Sequence, residues 1–196
     1  MARPKKSDWN ERATVKIENA FWKLLETEHY ADITVSRVCQ ESGTNRNSFY
    51  YHYRDIEDLA YHAFMDNAGN EISRTLISAL LSSFQDEDGK TTVIFDPSIL
   101  PHSKRIMLCA RSDSPFMNQL VMDLLKQIWF ESLSIKEELL TNEEHMQVVF
   151  IFAGLVAVLG SQEIQESPLS MATLSQTEIG KAIISTMKRI AALQQE

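Results

Sequence analysis

Residues 33–59, ITVSRVCQESGTNRNSFYYHYRDIEDL, hold the pattern from which the rest of the chain can be read. Thr34 is suited to capping a helix, and Val35, Val38 and Cys39 then recur at helical spacing on one face. Gly43 stands where that helix must end, at a position that often needs positive φ. Asn45 is a second N-cap, which predicts a helix over about Arg46–Tyr53, and Asp55 caps a third helix starting near Ile56.

At about 100° per residue, Phe49, His52 and Tyr53 share one arc of the middle helix, and Arg46, Asn47, Tyr50 and Tyr51 share the other. The first arc is expected to pack inward. The second would face outward with one guanidinium, one amide and two phenols. Arg suits guanine edges, Asn suits adenine edges, and hydroxyls suit phosphates. A merely solvated face would more often carry Glu and Lys, so two adjacent outward tyrosines favour a surface that reads DNA. The pattern is that of a helix-turn-helix.

The run NRNSFYYHYRDIEDL (45–59) resembles the recognition helix and following cap of the tetracycline-repressor (TetR) family of bacterial regulators. Ile17, Ala20, Leu24, Leu25 and Tyr30 stand where that family places its first helix core and the turn after it. The likeness covers about residues 10–65. It implies an all-α homodimer, with an N-terminal arm and three-helix DNA-binding domain over 1–56 and a C-terminal helical domain over 57–196 for dimerisation and effector binding. By that resemblance Thr34 and Ser36 approach double-stranded DNA from the second helix, and Arg46, Asn47, Ser48, Tyr50, Tyr51 and His52 supply base and backbone contacts. Two positions depart from the family. His29 replaces a usual glycine, which asks whether histidine can hold a left-handed turn there. Ile56 replaces a usual phosphate-binding lysine, which leaves that contact to Arg54 or the arm.

Composition agrees. The chain has 196 residues, and only 6 Gly and 5 Pro against 44% hydrophobic residues favour long helices over a turn-rich β architecture. Net charge is −8, but residues 1–56 carry 9 Lys+Arg against 8 Asp+Glu while the remainder carries 10 against 19. A nearly neutral head on an acidic body must rely on dimerisation and locally placed cations. Lys5 and Lys6, beside Pro4, are read either as an arm that touches DNA or as a solubilising terminus. No apolar leader follows them, and Cys39 and Cys109 lack CxxC spacing, so the expectation is a cytoplasmic protein with inert thiols.

Past the head, Ile56 to about Leu81 keeps an apolar stripe that includes Ile72, Leu76 and Leu80. The segment SSFQDEDGKTTVIFDP (82–97) breaks it. Its acids lack calcium-loop spacing because Lys90 stands where an acceptor is needed. Helices are then predicted near Ser98–Ala110, over Pro115 to about Leu133, and near Ser175–Leu193. Met65, Met107, Phe116, Met122, Trp129 and Phe152, with Met117 and Phe130 beside them, could line a pocket for a small apolar or aromatic effector, or could be plain core.

The run VVFIFAGLVAVLG (148–160) is apolar on every side. Its 13 residues fall short of the roughly 20 that span a bilayer, so it is expected to be buried in protein. Phe152, Leu155, Val156 and Leu159 from this helix, with Ile179, Ile183, Met187 and Ile190 from the last, are assigned to a four-helix bundle across a two-fold axis. No His pair has metal-ligand spacing, and no Ser/His/Asp set, phosphate loop or carboxylate pair stands out, so neither metal, cofactor nor enzymatic activity is expected. The functional expectation is a homodimeric regulator, a repressor, on a palindromic operator. The alternative is a helical protein-interaction module that does not bind DNA.

Overall fold

The computed structural model describes residues 6–68, 100–162 and 177–195, and every secondary-structure element among them is helical. The stripe through Ile72, Leu76 and Leu80, the calcium-loop question at 86–90 and the side chain of Lys5 lie outside the described residues. Among the described residues eight α-helices run in order: α1 Lys6–Thr27, α2 Val35–Ser42, α3 Arg46–His52, α4 Ile56–Ala68, α5 Leu100–Arg111, α6 Pro115–Leu133, α7 Asn142–Gly160 and α8 Glu178–Leu193. The first helix thus begins at Lys6, inside the segment expected to precede it.

The short helices end where local chemistry ends them. Thr34 Oγ1 accepts the Arg37 N–H at 3.3 Å, and Asn45 Oδ1 accepts the Ser48 N–H at 2.8 Å. Gly43 takes φ 65° and ψ 26°, and the following N–H of Thr44 reaches Cys39 O at 3.0 Å. A Cβ there would meet nothing within 4 Å, so the backbone angle alone favours glycine. Asp55 Oδ1 accepts the Asp58 N–H at 2.8 Å and opens α4. His29, by contrast, is extended at φ −67° and ψ 143°, so no left-handed residue is required at that turn.

Ile17, Phe21, Val38, Phe49, Leu59 and Phe64 are wholly buried and tie α1–α4 together. Ile56 packs half-buried against the same core, which accounts for an apolar residue there. That core continues without a break into α5–α8. At the seam, Arg105 lies 5.0 Å over the Trp22 ring, Lys104 pairs with Glu26 at 2.7 Å, and Tyr30 stacks on Phe116 at 6.3 Å. The Tyr30 hydroxyl is buried without a hydrogen-bond partner, and burial, then the carboxylates of Glu57 and Asp55, push its phenol well above the ordinary range.

Ser114 and Pro115 start α6 by cap and fixed φ, the Ser114 hydroxyl accepting the Met117 N–H at 3.4 Å. A reciprocal Thr141–Glu144 capping box starts α7, and the Thr141 backbone and hydroxyl donors hold the Glu144 carboxyl below its usual range. The apolar helix therefore runs 19 residues, six more than its apolar run, and reaches the length and apolarity of a membrane span. It is not buried on all sides, because only 28% of its most apolar window is buried in the protein.

The buried side of α7 corrects the interface assignment. Phe152, Val156 and Leu159, with Met187 and Ile190 of α8, fill the subunit's own core. Leu155 and Ile183 are half-buried against it, and of the assigned residues Ile179 alone stays exposed. Beyond its polar first turn, α7 leaves Met146, Val149, Phe150, Ala153, Gly154 and Ala157 exposed. At Gly160 the helix meets α5 so closely that a Cβ would lie 2.6 Å from Ala110 O. Gly160→Ala is therefore expected to destabilise the fold by about 2 kcal/mol and to lower the thermal midpoint by about 4–8 °C, read by calorimetry. An unshifted midpoint would show that α5 and α7 separate without cost.

Candidate nucleic-acid interface

The seven residues of α3 are held from below and presented from above. Phe49 is wholly buried, and Tyr53, which ends the helix, is 5% exposed. The Tyr53 hydroxyl donates to Glu18 Oε1 of α1 at 2.8 Å, so the end of α3 is pinned by a polar bond as well as by packing. On the opposite arc Arg46 and Asn47 are exposed, and Tyr50 and Tyr51 are 57% and 66% exposed. Both phenols present most of their surface to solvent, while the Tyr50 ring rests edge-to-face on Phe49 at 5.5 Å.

The other expected contact residues fall into three positions. Ser36 is exposed in the first turn of α2 and reaches the same surface as Arg46. Ser48 and His52 are half-buried on the flanks of α3, with the His52 ring edge-to-face to Tyr51 at 4.9 Å. Thr34 is exposed, but its hydroxyl is engaged as the α2 cap. Lys6 is the first residue of α1, and its side chain lies outside the described residues.

Charge separates Arg46 from its neighbours. Lys23 is paired with Glu41, Arg37 with Glu28, and Arg54 with Asp58 at 3.0 Å. The Arg54 side chain and backbone N–H hold the Asp58 carboxyl below its ordinary range, while the Arg54 side chain itself stays exposed. Arg46 instead donates from Nη2 to the hydroxyl of Ser36 at 2.5 Å. A hydroxyl carries no charge, so the full positive charge of Arg46 remains available on the exposed arc. This contact spans ten residues and a turn, and no sequence periodicity marks it.

Of the six residues expected to line an effector pocket, two are buried and four are half-buried. Trp129 and Phe152 pack edge-to-face at 5.9 Å, and both are buried. Met65, Met107 and Met122 are half-buried. Phe116 alone of the six borders a described cleft, and that cleft is polar, walled by Arg54, Asp55, Glu57, Asp58, Tyr61 and His62. A second cleft lies at the end of α6, between Lys126, Phe130, Ile135 and Glu137, and includes none of the six. Both cysteines are buried, and burial pushes the Cys109 thiol up, which keeps it protonated.

No family model, curated protein or solved structure matches the chain.

Proposed function

We propose that this chain is a DNA-binding transcription regulator of the TetR kind, a repressor that acts as a homodimer on a palindromic operator. The observation that carries the reading is the outward arc of α3. It joins an uncompensated guanidinium, an amide and two exposed phenols on a helix whose underside is fixed by Phe49 and Tyr53. In this reading α2 and α3 form a helix-turn-helix about Gly43, and α3 enters the major groove. Arg46 and Asn47 contact base edges, and Tyr50, Tyr51 and the flanking Ser48 and His52 contact base edges or phosphates.

A second copy would cover the outer stripe of α7. Met146, Val149 or Phe150, Ala153 or Gly154, and Ala157 recur at helical spacing, and the small residues permit a close crossing. The resemblance adds a small apolar or aromatic effector that changes the separation of the two α3 helices through α4. Such an effector would shift binding only by its different affinity for two arrangements.

A protein-interaction module that no longer reads DNA is the second reading. The carboxylates that neutralise Lys23, Arg37 and Arg54 favour it, because they leave the head weakly electropositive. Selection of duplexes from a random-sequence library by the purified full chain separates the two. The regulator is expected to enrich a consensus whose affinity falls steeply as salt rises. Recovery of unselected sequence would favour the interaction module.

A further inference from the structure

We infer that Ser36 is a positioning residue whose hydroxyl aims the Arg46 guanidinium at a base pair, so that base discrimination at that position belongs to the pair and not to Arg46 alone. The inference rests on the DNA-reading function proposed above and adds to it a division of labour between α2 and α3.

Arg46 is the first residue of α3, and Ser36 is the second residue of α2. An exposed arginine on a helix surface has a long side chain with many rotamers, and holding it in one direction is costly unless something fixes it beforehand. Ser36 Oγ accepts one of the five guanidinium N–H groups, and the other four remain for a partner. That remainder still offers the paired donors that match the O6 and N7 acceptors of guanine. A carboxylate at Ser36 would fix the side chain equally well but would cancel the charge that DNA needs. Arg37 shows that alternative one residue away, where Glu28 and the Gln40 side chain take its guanidinium. The neutral hydroxyl therefore does what an acid could not: it orients the cation without neutralising it.

The rival role for Ser36 is an independent phosphate contact, which would weaken binding to every sequence equally. The two roles separate in a double-mutant cycle. The probes are the duplex enriched by the full-length wild-type protein and its single-base variants. The proteins are wild type, Ser36→Ala, Arg46→Ala, the double variant and Ser36→Thr, all as full chains. Ser36 is exposed, and alanine is a better helix former, so Ser36→Ala is expected to keep the wild-type melting profile.

The expected result is a loss of discrimination on the order of tenfold at one base pair per half-site in Ser36→Ala, with the other positions nearly unchanged. That loss should vanish when Arg46 is already alanine, and Ser36→Thr should restore it. A uniform loss across all variants, additive with Arg46→Ala, would overturn the positioning role and leave DNA reading intact. A library that yields no consensus would overturn the DNA reading itself, and the pairing with it.

Discussion

Alanine at both Asn47 and Tyr51 is expected to reduce affinity for the selected duplex by on the order of a hundredfold or more. Each lost base contact removes roughly 1–3 kcal/mol, and a homodimer loses it in both half-sites. Both side chains are exposed, so neither supports the core. Alanine is compatible with a helix, and the Asn45 cap, Phe49 and Tyr53 stay in place. The double variant should therefore keep its helical content, melting temperature and oligomeric state. Its affinity for unrelated duplex should fall far less, because phosphate attraction to Arg46 and the rest of the head is sequence-independent. Fluorescence anisotropy against both duplexes reads this directly. Equal weakening on both would make the two residues phosphate contacts, and wild-type affinity on the selected duplex would remove α3 from the reading.

The second large effect lies at the opposite end of the molecule. Phe150 is 81% exposed in the middle of the α7 stripe, with Met146 65% exposed and Gly154 exposed one turn to either side. Water contact over so many apolar groups is unfavourable in a lone subunit, and burying one phenylalanine is worth about 1.5–3 kcal/mol. A two-fold axis counts that gain twice. Phe150→Lys removes it and sets two ammonium groups in the interface, so the dimer dissociation constant should rise by at least about a hundredfold. Sedimentation should then find a folded monomer at concentrations where wild type is a dimer, and binding to a palindrome should weaken in step. A wild type that is monomeric, or a variant that stays dimeric, would free this face for another partner. Partition of the wild type into vesicles, lost in Phe150→Lys, would assign it to a membrane instead.

Local chemistry made the head legible. Thr34, Asn45 and Asp55 are short acceptors in front of apolar runs, and each forms the cap bond its position suggests. Gly43 takes the left-handed turn for the reason glycine is chosen there. The arcs of α3 could also be read, because a polar and an apolar side alternate at helical period. Helix α7 gave no such phase. When every position is apolar, periodicity cannot say which side faces inward, and the choice falls to α5, α6 and α8. An interface reading of Phe152, Val156 and Leu159 therefore puts outward three side chains that lie inside. The effector residues are ambiguous for a related reason, since methionine and aromatic side chains serve a packed core and a pocket equally well. The Ser36–Arg46 contact was invisible because it depends on how α2 and α3 cross, not on either helix alone.

On the proposed function, two copies of α3 read base edges in adjacent major grooves. A methylation-interference footprint of the full chain on its selected duplex tests it most directly. Inverted half-sites about 34 Å, or one helical turn, apart are expected, with guanine N7 methylation interfering in each. Loss of Arg46 should erase the guanine signal in both half-sites. Binding indifferent to guanine methylation, or a single site without symmetry, would overturn that reading.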